Sequence, residues 1–121
     1  MKRILLPICT AMVLSSAPAK AVDETAYLLK SAADLASLCG APEDPSAIHM
    51  CQGFLVGSHR IFEAIGESIG EPLYCVPDDG SVTRDSVARD LAAWISSDAE
   101  IAAMVPHEAV LEWARITQPC G

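Results

Sequence analysis

Asp44-Pro45-Ser46-Ala47-Ile48-His49-Met50-Cys51-Gln52-Gly53-Phe54-Leu55-Val56-Gly57 opens a long helix. The aspartate offers a side-chain oxygen to the free N–H groups of the first turn. The proline after it has no N–H to lose there. Ile48, Cys51, Leu55, Phe62, Ile65 and Ile69 recur at steps of three, four and seven residues, which places them on one apolar stripe. Gly70 and Pro72 end the helix. Gly53 and Gly57 sit one turn apart inside it. A helical glycine costs about 1 kcal/mol relative to alanine, so the pair predicts the close approach of another backbone.

Three further helices flank this one. The first is expected from Asp23 to Leu38, with Leu28, Ala32, Leu35 and Cys39 on its inward face, and Gly40 and Pro42 stop it. Cys75-Val76-Pro77-Asp78-Asp79-Gly80 is a turn-rich loop. Beyond it Thr83 caps a third helix, on which Val87, Leu91, Trp94 and Ile95 face inward. Ser96-Ser97-Asp98 breaks that helix, and a short turn over residues 99–104 follows. Pro106 opens a fourth helix carrying Ala109, Val110, Trp113 and Ile116, which ends at Pro119-Cys120. No strand is expected. The fold class is all-α, a small four-helix bundle forming one domain over residues 22–121.

Residues 1–21 read as a cleaved signal peptide. Lys2 and Arg3 precede an apolar run from Ile4 to Leu14, and Ala19-Lys20-Ala21 is a small-residue cleavage site. The apolar run is shorter than the roughly 20 residues that a spanning helix needs. Loss of the leader removes Lys2, Arg3 and Lys20. That takes the eight Lys and Arg to five and leaves all 16 Asp and Glu, a net charge near −11. So acidic a domain repels nucleic acid and anionic membranes and attracts a basic protein partner.

Four cysteines remain after cleavage: Cys39, Cys51, Cys75 and Cys120. An even number in a small exported chain reads as a disulfide framework. If short loops make successive helices antiparallel, Cys39 and Cys51 meet at one end of the bundle and Cys75 and Cys120 at the other. The other two pairings would bridge the length of the bundle, beyond the Cα separation of about 7 Å that a disulfide tolerates.

Nothing in the chain signals catalysis, a cofactor or a metal. There is no C-x-x-C, no G-x-S-x-G and no phosphate-binding glycine loop. His49, His59 and His107 do not pair at helical spacing. Arg60 and Glu63 are placed for a weak ion pair on an exposed face. Asp78 and Asp79 in one loop, and Asp98 in another, are candidate partner-binding acids.

Cys51-Gln52-Gly53-Phe54-Leu55-Val56-Gly57, then Cys75-Val76-Pro77, then Val82-Thr83 opening a helix, then Pro119-Cys120, is an ordered set. It resembles the Rap/Tai-type immunity proteins, which protect bacteria from amidase effectors of type VI secretion. Ser86 stands where that family often has a glutamine, so no capping box is expected at the third helix. Ser97-Asp98 replaces its His-Pro pair. The resemblance implies a periplasmic all-helical protein, commonly a homodimer, that covers the active-site cleft of a cysteine peptidoglycan amidase. The alternative is a small periplasmic acid-stress chaperone, or an envelope protein without an effector partner.

Overall fold

In the computed structural model, residues 21–121 are described. The leader read over residues 1–21 lies outside them, apart from Ala21. A short 3-10 turn, Glu24–Leu28, leads to α1 (Ala32–Cys39), α2 (Pro45–Ile69), α3 (Arg84–Ser96), the single turn α4 (Ala99–Ala102) and α5 (Pro106–Thr117). The architecture is all-α, with four longer helices.

Each start has a local chemical cause. Asp44 accepts the backbone N–H groups of Ser46 and Ala47, with Pro45 at the first helical position. Thr83 accepts from the N–H of Ser86 at 3.1 Å, and Ser86 Oγ accepts from the N–H of Thr83 at 2.9 Å. A reciprocal capping box is therefore present, contrary to the expectation drawn from the missing glutamine. A serine hydroxyl is short, but it reaches the N-cap amide and does the work of the longer side chain.

The expected first helix is in fact two elements. Asp23 caps the 3-10 turn, and Leu29 then adopts φ 49°, a left-handed conformation that ends it. Ser31 restarts the chain as the N-cap of α1, with Asp34 completing a capping box. Leu28 is consequently 63% exposed rather than inward.

The core is organised around α1, the shortest of the four longer helices. It packs against α2, α3, α4, α5 and the 3-10 turn. Leu35 and Leu38 on α1, and Leu91 and Ile95 on α3, are wholly buried. Trp113 on α5 joins this core, whereas Trp94 is only half-buried against it. The Cys39–Cys51 bridge ties α1 to α2 and is itself buried. Cys75–Cys120 ties the loop after α2 to the chain after α5, and both of its cysteines are exposed.

The lower half of α2 departs from expectation. Ile65 and Ile69 are exposed, as is Ile116 on α5. A Cβ added at Gly53 or Gly57 would meet nothing within 4 Å, so no backbone approaches there. The close approach is in the last turn of α2, at Gly66. A Cβ at that position would lie 3.0 Å from the Glu71 carbonyl oxygen and 3.2 Å from Pro72 Cα. The chain folds back there after Gly70, whose φ of 82° closes the helix.

The two kinds of glycine should respond in opposite ways. Gly57→Ala is expected to raise the unfolding free energy by roughly 0.5–1 kcal/mol, through better helix propensity. Gly66→Ala is expected to lower it, because the clash is with backbone that cannot swing aside. Paired thermal melts check both signs.

Candidate functional site

The surface feature with most built structure is the segment 74–83, together with the cleft behind it. Cys75 fixes the start of the segment twice over. Its sulfur bonds Cys120, and its N–H donates to the Gln118 carbonyl at 2.9 Å. Thr83, as the cap of α3, fixes its end. Between these anchors the chain turns outward, and residues 75–81 are all exposed.

Asp78 and Asp79 sit at the tip with different duties. Asp79 Oδ1 accepts the N–H of Ser81 at 2.9 Å, which folds the turn ahead of it. The Ser81 side chain and backbone hold the Asp79 carboxyl below its ordinary value, so it is ionised at neutral pH. Asp78 makes no side-chain hydrogen bond among the described residues and presents its charge to solvent. Asp98 is placed elsewhere. It caps α4, accepting from the N–H groups of Glu100 at 2.7 Å and Ile101 at 3.3 Å. The 13 residues of α3, about 20 Å of helix at 1.5 Å per residue, lie between it and the loop. Asp78 and Asp79 are thus brought together, and Asp98 is not brought to them.

Behind the loop is a cleft of about 280 Å³ between α2, α3 and α5. Val76 and Val82 from the loop form one wall, facing Leu55, Val87, Val110 and Trp113. Its rim carries His59, Arg60 and Arg84. His59 is held from two sides. Its Nδ1 shares a 2.7 Å hydrogen bond with the Tyr74 hydroxyl, and its Nε2 lies 3.3 Å from Glu63. Burial, helped by the Glu63 carboxylate, pushes the Tyr74 hydroxyl up to about 12. Tyr74 therefore stays protonated and keeps its place beside His59 at every physiological pH. Arg60 pairs with Glu63 at 2.9 Å, the ion pair read from the sequence. Below the rim, Gln52 donates to Asp85 at 2.7 Å and ties α2 to the start of α3.

Sequence reasoning singled out neither Tyr74 nor Arg84, and assigned Trp113 to the core alone. The available signal was proximity: Tyr74 adjoins Cys75, and Arg84 adjoins the cap Thr83. A residue next to an anchor is positioned by it. No group of three or more His, Cys, Asp or Glu able to hold a metal ion comes together among the described residues. None of their helices is long and apolar enough to cross a membrane. Two disulfides fit an oxidising compartment. Compared with protein-family models, curated proteins and solved structures, the chain matches none.

Proposed function

We infer that the chain is an exported immunity-type protein. It binds a cysteine peptidoglycan amidase of type VI secretion and inhibits it by covering the active-site cleft. The observation carrying this reading is the doubly anchored acidic loop. Cys75-Val76-Pro77 and Pro119-Cys120, two motifs of the resemblance, are joined by one bridge. The loop between Pro77 and Ser81 is thereby held out in a fixed form before any partner arrives. A pre-ordered loop loses little conformational freedom on docking. Its charges steer encounter more than they tighten the complex.

The reading is tested by adding the purified, oxidised protein to an amidase encoded beside its gene and measuring peptidoglycan hydrolysis. Inhibition saturating near one inhibitor per enzyme is expected. Full hydrolysis at a large molar excess of inhibitor rejects it.

The loop's part is separable. Asp78→Asn with Asp79→Asn keeps the turn, since an asparagine oxygen still accepts from the Ser81 N–H, but removes both charges. Association with the amidase is expected to slow at low salt, with the difference shrinking as salt screens the wild type. An equal rate under both conditions removes the loop from the interface.

A further inference from the structure

The cleft behind the loop differs from the rest of the surface in sign. The described residues hold 16 Asp and Glu against Lys30, Arg60, Arg84, Arg89 and Arg115. Two of those five cations line the cleft, with His59 beside them, and no Asp or Glu does. Glu63 takes up Arg60, whereas Arg84 has no ion pair among the described residues. Arg84 is also the first residue of α3, where the free N–H groups of a 13-residue helix favour negative charge. Below this rim the walls are valine, leucine and the Trp113 ring. The cavity, at about 280 Å³, falls just under the ~300–1,000 Å³ typical of sites for drug-sized ligands. Its occupant is therefore small, with one apolar body and one anionic end.

We propose that this cleft is a binding site for a medium-chain fatty carboxylate, with its alkyl chain against Trp113, Val87 and Val110 and its carboxylate on the Arg84 guanidinium. Charge complementarity selects the head, since Arg84 is the arginine of the cleft that makes no ion pair among the described residues; the neighbouring Asp85 carboxylate is turned to Gln52, from which it accepts at 2.7 Å. Cavity size limits the tail. The proposal does not rest on amidase inhibition, although the loop carrying Asp78 and Asp79 supplies one wall of the cleft through Val76 and Val82, so each is tested with its own readout.

The probe is decanoate, with decanol as its uncharged counterpart and a bromine-labelled decanoate as quencher. Trp113 lines the cleft and Trp94 does not, so bound quencher dims one tryptophan of the two. Saturable quenching is expected in the wild type and in Trp94→Phe, but not in Trp113→Phe. Arg84 is exposed at the first turn of α3, so Arg84→Gln is expected to leave the fold intact, which a thermal melt checks. That variant is expected to weaken decanoate about tenfold, the loss of one charged hydrogen-bond partner, and to leave decanol unchanged. Equal affinity for decanol and decanoate in the wild type overturns the proposal. So does unchanged decanoate binding in Arg84→Gln, or the absence of saturable quenching. An apolar peptide with a free C-terminal carboxylate that binds where decanoate does not would assign the cleft to a chain terminus instead.

Discussion

Leu35→Ala is expected to lower the unfolding free energy by about 3–5 kcal/mol, among the largest effects of any single truncation in this chain. Leu35 has no exposed surface, and its helix touches all the others. The cost has two parts. The removed methyl and methylene groups lose their transfer from water, and a cavity remains because the walls cannot all close in on it. Here relaxation is hindered further, since the Cys39–Cys51 bridge pins the end of α1 to α2. In a domain of this size each kcal/mol moves the melting temperature by roughly 4–8 °C. A fall of less than about 5 °C for Leu35→Ala would show that α1 is not the centre of the core. Ile116→Ala, at an exposed position, serves as the control and should change little.

Removing the second bridge, as Cys75→Ala with Cys120→Ala, should destabilise to a similar degree. The bridge spans 45 residues, and the chain-entropy model gives about 4 kcal/mol for closing a ring of that length. Cys39–Cys51 closes a much shorter ring, worth about 3 kcal/mol on the same model. The two bridges differ still more in access. Cys75 and Cys120 are exposed, while Cys39 and Cys51 are 2% and 0% exposed. Mild reductant should therefore open Cys75–Cys120 first, giving a partly reduced species with two labelled thiols and an intact α1–α2 core. Mass spectrometry after alkylation reads this directly. Simultaneous appearance of four labelled thiols would mean that the buried bridge is no better protected than the exposed one.

The helices were legible where a start signal and a stripe agreed. Asp44-Pro45 and the stripe from Ile48 to Phe62 give α2, and the pairing of the four cysteines follows from the ends at which the helices meet. The break at Leu29 was not read, although Ser31 and Asp34 stand three apart in the pattern of a capping box. An apolar stripe running through both pieces concealed it. Ile65 and Ile69 continue the stripe of α2 but lie past the point where α1 and α3 can cover them, because periodicity shows a face and not the length of the neighbour. Gly57 and Gly66 look alike in sequence. Only the return of the chain at Glu71 and Pro72 tells them apart. The loop with Asp78 and Asp79 was visible from its turn residues. The cleft was not, since Leu55, Arg84 and Trp113 come from three helices and share no spacing.

Among the four described cysteines the two bridges join neighbours in sequence, Cys39 with Cys51 and Cys75 with Cys120, so neither ring encloses the other. A chain emerging N-terminus first can therefore oxidise in order. Cys39 and Cys51 come within reach once α1 and the opening turns of α2 have formed, before Cys75 has appeared. Once joined and buried, Cys39 and Cys51 are not left to capture Cys75 while it waits for Cys120. For a chain oxidised as it emerges, native pairing is then expected from timing and local proximity, without a reshuffling step.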